Sequence, residues 1–94
     1  MVTYPKEYII AAHKSSIFHQ AQILQSNLCG CFYCMSTFSP VEIIEWTDQN
    51  NPRGRTALCP KCAIDSVIGS SSGFPISDNN FLRQMNKYWF KGRG

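Results

Sequence analysis

Cys31, Cys34, Cys59 and Cys62 form two C-x₂-C pairs separated by 24 residues, the most chemically specific spacing in the 94-residue chain. A two-residue gap lets one tight turn aim both sulfurs at a single ion about 2.3 Å away, and a second such turn completes a tetrahedron. The spacing predicts one structural Zn²⁺. Four thiolates leave no position for a bound water, so hydrolytic chemistry at the metal is not expected. The ligand set by itself also suits iron. Four separate buried thiols and a redox pair are the competing readings. Pairing in sequence argues against the first, and the lack of a surrounding βαβ pattern argues against the second. Cys29 is the fifth cysteine. It could replace Cys31 as a ligand only across a looser four-residue gap to Cys34, and is expected to be a buried or supporting thiol.

The remaining chemistry-bearing residues are sparse. His13 and His19 are six positions apart, about 240° around a helix, so one face cannot offer both to a metal. Ser16 follows His13 by three and Ser15 precedes His19 by four, spacings that share a helix face. Asp65 and Ser66 would complete a His/Asp/Ser set if the segments met. Solvated or backbone-bonded helix side chains are the plainer explanation. A metal-dependent nuclease would need a second metal site with histidine and acidic ligands, and the chain offers only these two histidines. The chain is therefore not expected to be an enzyme.

Nine Lys and Arg against six Asp and Glu give a formal charge of +3. Four thiolates and one Zn²⁺ lower it to about +1. Charge alone therefore argues little for nucleic acid, although a local basic patch is compatible with it. Arg53, Arg55 and Lys61 surround the second cysteine pair, and Arg83, Lys87, Lys91 and Arg93 follow the end of the chain. Tyr33, Trp46 and Tyr88 are the stacking groups such a surface would use. Glu42, Glu45 and Asp48 oppose it, and no base-reading helix is identifiable. Trp46, Trp89 and Phe90 are expected in the core. Phe74-Pro75 would either anchor a partner or pin its loop.

The elements that must position the cysteines read as one α+β domain over residues 1–94. A helix is expected within residues 1–28, from Pro5 to about Ser26, with Ile10, Ile17 and Leu24 as its apolar stripe. Residues 29–69 form the four-cysteine zinc module. Within it, Ser39, Pro40 and Glu42 are a capping box that opens a short helix ending near Trp46. Thr56–Leu58 reads as a strand into the second pair, and residues 63–68 as a short helix or a strand. Residues 70–76 are a loop, with the stretch from Gly69 to Gly73 expected to be flexible. Residues 77–90 form an amphipathic helix capped by Ser77 and carrying Phe81, Leu82, Met85, Tyr88 and Trp89 on one face. Residues 91–94 read as a frayed tail. No run approaches the roughly 18 apolar residues of a spanning helix, and Tyr8–Ala12 is too short for a signal peptide. The chain reads as cytoplasmic, where reduced cysteines serve as metal ligands.

Several runs together resemble a family of small uncharacterised bacterial "cytoplasmic proteins". They are Cys29-Gly30-Cys31-Phe32-Tyr33-Cys34, Ser39-Pro40-Val41-Glu42-Ile43-Ile44-Glu45-Trp46 and Thr56-Ala57-Leu58-Cys59-Pro60-Lys61-Cys62, followed by Ala63–Gly69, Ser72–Ile76 and Met85–Phe90. The likeness runs from about His13 to Phe90. It implies a bacterial or phage origin and a zinc-bound fold, and it supplies no mechanism. Ala63 departs from the glycine that the likeness leads one to expect after the second pair. The paired turns also resemble treble-clef and zinc-ribbon sites. In a treble clef the second pair opens a helix, which would place Asp65 and Ser66 in its first turn. The expected function is a non-enzymatic protein-interaction or regulatory accessory module, with a protein as the favoured partner, nucleic acid as the alternative, and no membrane.

Overall fold

The computed structural model describes residues 3–17 and 19–91. The sequence expectations for residues 92–94, including Arg93, lie outside the described residues. The described residues form five short strands and three α-helices: α1 Lys6–His13, α2 Gln20–Leu24, β1 Cys29–Cys31, β2 Thr37–Phe38, β3 Trp46–Thr47, β4 Thr56–Ala57, β5 Val67–Gly69 and α3 Asn79–Phe90. Strands β2, β1 and β5 form an antiparallel sheet in that order, and β3 pairs antiparallel with β4.

The central sheet separates two cores, and the period-2 alternation of its side chains decides which residue joins which. From β1, Cys29 and Cys31 face a core with Ile23, Phe38, Ile43, Ala57 and Cys59, and Val67 of β5 joins them. Ile68 faces the other way, into a core with Ile9, Ala12, Phe32, Phe81, Leu82 and Met85. Gly30 also faces that side, where a Cβ would sit 3.2 Å from Ile76 Cβ and 3.4 Å from Leu82 Cδ2. The cysteines thus line one side of the sheet, and α1 and α3 cover the other.

The N-terminal segment is not one continuous helix. α1 gives way to a 3₁₀ turn at Lys14–Ser16, Ile17 is extended, and α2 restarts at Gln20. Side chains capture the carbonyls that would have continued the ladder. Ser16 Oγ donates to His13 O at 2.6 Å, and His19 Nδ1 lies 2.8 Å from Ser15 O, the acceptor that the His19 backbone N–H would use in an unbroken helix. The expected apolar stripe is also rotated. Leu24 is 61% exposed, whereas Ile9, Ala12, Ser16, His19, Ile23 and Ser26 are buried. Polar residues enter this stripe because each finds a backbone partner; Ser26 Oγ, for example, donates to Gln22 O at 2.8 Å.

Three other expectations are corrected. The helix opened by Ser39 is a single 3₁₀ turn, Pro40–Glu42, with its capping box in place, and Trp46 belongs to β3 instead. The serine-rich stretch after Gly69 is a docked 3₁₀ turn. Ser70 Oγ accepts from the N–H groups of Asn27 and Leu28, and the Ser71 N–H donates to Ser26 Oγ at 3.0 Å. Asp78, one residue after the expected Ser77, caps α3 by accepting from the Asn80 N–H at 2.9 Å.

Candidate metal centre

Two turns of the same construction bring the four cysteines together. Cys31–Cys34 lies between β1 and β2, and Cys59–Cys62 lies between β4 and β5. In each, the N–H two residues on donates to the first sulfur, from Tyr33 to Cys31 at 3.4 Å and from Lys61 to Cys59 at 3.3 Å. In each, the first cysteine's N–H donates to the carbonyl five residues later, Cys31 to Ser36 at 2.9 Å and Cys59 to Ile64 at 3.0 Å. In each, the residue after the second cysteine is left-handed, Met35 at φ 61° and Ala63 at φ 65°. This conformation is why a glycine would suit position 63. A residue with a Cβ costs about 1–2 kcal/mol there, a penalty that the rest of the fold has to offset.

The sulfur positions fit a tetrahedral ion. All four Sγ atoms lie within 4.8 Å of one another, with Cys31 to Cys62 at 3.6 Å and Cys34 to Cys59 at 3.7 Å. A tetrahedron with metal–sulfur bonds of about 2.3 Å has edges of roughly 3.8 Å. Two edges are therefore already at length, and no pair has to close by more than about 1 Å. Among the described residues this is the one such group of His, Cys, Asp or Glu.

The surroundings supply the remaining stabilisation. Ser66 Oγ lies 3.0 Å from Cys31 Sγ, and its hydroxyl is the donor once that sulfur is a thiolate. Asn86 of α3 donates from Nδ2 to Tyr33 O at 3.0 Å, tying the helical layer to the first turn. Burial pushes the Cys31 thiol up to about 11, against the hydrogen bonds from Ser66 and the turn, and burial likewise raises Cys62. At Cys34 the effect of burial is outweighed by the Ser36 hydroxyl and amide, which bring the thiol down to about 7. Metal binding must therefore displace protons from buried thiols. Cys29 stands apart from the four; it is fully buried, and burial raises its thiol to about 11, which makes it unreactive.

Among the described residues, the histidine, aspartate and serine side chains form no hydrogen-bonded set, although Asp65 lies near His13. Ser66 is engaged with Cys31, and Ser16 with the backbone. His13 packs its ring 4.1 Å from that of Trp89; burial lowers its pKa, and nearby Asp65 opposes the shift. Asp65 and Ser66 precede β5 and are not in a helix, because Ala63 turns the chain back toward the sheet. The basic residues near the second turn have local partners. Lys61 pairs with Glu42 at 3.5 Å, and the Arg55 guanidinium lies 5.4 Å from the Trp46 ring centroid.

His19 is the residue near the centre that sequence alone did not assign. It is 5% exposed, its Nδ1–H donates to Ser15 O, and its Nε2 accepts from the Ala57 N–H at 3.1 Å, two residues before Cys59. Burial lowers its pKa below 6.5, and the Ser15 hydrogen bond only partly opposes this. The unfolded chain then takes up the proton first. The contribution of neutral His19 is full above about pH 6.5 and falls as pH drops toward the depressed native value. Protonated Nε2 would confront the Ala57 N–H donor with another donor. His19→Gln, whose Oε1 can still accept from Ala57, is expected to cost about 1–3 kcal/mol at pH 7. The difference from the parent should narrow between pH 7 and 5 in thermal melts; a gap that does not vary with pH would refute this role.

Compared with protein-family models, curated proteins and solved structures, the chain matches none. Among the described residues, no helix is long and apolar enough to cross a membrane.

Proposed function

We propose that this chain is a non-enzymatic interaction module whose short sheets are held in place by one structural Zn²⁺ on Cys31, Cys34, Cys59 and Cys62. The observation that carries the metal reading is the cluster of four Sγ atoms at tetrahedral spacing. Zinc suits an all-thiolate, four-coordinate, redox-silent site that ties together turns distant in sequence. The matched construction of the two turns and the strand that follows Cys62 favour a ribbon-like module over a treble clef. A closed ligand sphere supports a structural role over a catalytic one.

The segment next to the second turn supports protein contact. Val41 is 87% exposed and Ile44 80% exposed, on the chain that the Glu42–Lys61 ion pair brings beside Cys59–Cys62. Ile44 also shares a shallow depression with Leu58, Pro60 and Ala63. Two exposed apolar side chains beside this depression would form the centre of a small contact, with the Glu42–Lys61 ion pair on its polar rim. Purified protein is expected to hold one zinc per chain by elemental analysis. Val41→Asp/Ile44→Asp should keep that zinc and the parent melting temperature, yet lose nuclease-resistant capture of a partner from bacterial lysate at least tenfold. Equal capture by variant and parent would remove the interaction reading while leaving the metal reading intact.

A further inference from the structure

The layer opposite the metal carries a second surface. A groove of about 670 Å³ opens between the start of α1 and the outer face of α3, on the far side of the sheet from the cysteines. Lys6, Arg83 and Lys87 line it, all exposed, and none of the three is ion-paired among the described residues. Among the described residues, no acidic side chain lines it. Asp78, nearby at the start of α3, is already occupied: it accepts from Tyr4 Oη at 2.7 Å and from the Asn80 N–H. Arg83 and Lys87 are one turn apart on α3, so their charges repel until an anion lies between them.

The groove is not simply a charged face. Ile9, Tyr4 and Tyr88 contribute to its walls. Tyr4 is fixed by stacking on Tyr8 at 5.3 Å and by its bond to Asp78. Tyr88 is 42% exposed and held edge-on to Trp89 at 4.8 Å, which leaves ring surface open to a flat ligand. Cations beside an apolar, aromatic wall select a ligand that is anionic at one end and planar at the other. A carboxylate-rich peptide would use the charges and leave the ring idle.

We propose that this groove binds a nucleotide unit, with phosphate on Lys6, Arg83 and Lys87 and a base against Tyr88. The volume falls in the range of small-molecule sites. A free nucleotide and a single nucleic-acid strand present the same chemistry. None of the residues belongs to the zinc module or to the Val41/Ile44 surface, so the inference stands apart from the function proposed above. The sequence placed Arg83 and Lys87 along the last helix; α1 adds Lys6 and makes them a site.

The test titrates zinc-loaded protein with ATP and, separately, with a fluorescein-labelled 12-mer of deoxythymidine at 50 mM salt. Saturable binding of either is expected, and whichever binds more tightly identifies the source. With three phosphate contacts, a single strand should show a slope of log K against log salt of about −2. Arg83→Glu/Lys87→Glu should weaken binding at least tenfold, and Tyr88→Ala roughly tenfold through lost stacking. Both variants change exposed residues, and unchanged zinc content and melting temperature verify that they fold; Lys6→Ala gives a third, milder reduction. No saturable binding of either probe below millimolar overturns the proposal, as does binding indifferent to the α3 variants. A polyglutamate peptide that competes equally, with no effect of Tyr88→Ala, would reduce the groove to a charge trap and overturn it as well.

Discussion

Cys59→Ser is expected to leave the chain without zinc and without a cooperative unfolding transition at 25 °C. A serine hydroxyl does not deprotonate to replace a thiolate, and three sulfurs cannot close the tetrahedron. Structural zinc sites contribute on the order of 10–16 kcal/mol of apparent binding free energy, while a whole domain's net stability is about 5–15 kcal/mol. The loss therefore exceeds the margin. The consequences extend beyond one turn, because Cys31 and Cys59 are buried in the same core as Ile23, Phe38 and Val67. A chelator should reproduce the effect on the parent protein. Cys29→Ser supplies the contrast: its thiol is buried but outside the cluster, and the variant should retain one zinc per chain. A folded Cys59→Ser protein with an unaltered melt would show that the metal does not hold the structure.

Phe81→Ala should produce the second-largest change, on the other side of the sheet. Phe81 is 0% exposed and meets Tyr4 edge-on at 5.4 Å, Tyr8 at 6.1 Å and Phe74 at 6.2 Å. It thereby joins the segment before α1, α1 itself and the loop before α3. Removing a buried phenyl ring costs about 3–5 kcal/mol from lost transfer energy and the cavity left behind. For a domain of this size the melting temperature should fall by more than about 12 °C. Protein that remains folded should still hold one zinc, because these rings belong to the core on the other side of the sheet from the four cysteines. Zinc loss that tracks the drop in stability below the transition would mean that the two cores are a single cooperative unit.

The two effects differ because the sheet is shared while its faces are not. On one face four cysteines gather around strands two or three residues long, which cannot secure themselves by pairing alone, so the proposed metal would hold them. The other depends on apolar burial by two helices. A chain of this length has little surplus in either.

Much of the candidate site was legible in the linear chain, because a C-x₂-C turn is local and its geometry follows from two intervening residues. The same holds for the Ser39 capping box, and in part for the amphipathic α3, where Phe81, Leu82 and Met85 are buried as their spacing implied while Trp89 is half-buried and Tyr88, expected on the same face, is exposed. A small mixed helix and sheet domain with four gathered cysteines was thus determined by sequence. What the sequence could not decide were the pairings across distance. A serine or histidine looks solvated until the carbonyl or amide that receives it is known. Ser16, His19 and Ser26 therefore gave no sign of lying on the buried stripe, or of ending α1 where it ends. Cys29 and Cys31 point to the same face of β1, and only the position of the second turn brings Cys31 into the four-sulfur cluster and leaves Cys29 out. Lys6 and Arg83, remote in sequence, become one surface because α1 packs on α3. Local hydrogen bonds are written in neighbouring residues; which distant groups satisfy or leave open the remainder is settled only when the layers close on one another.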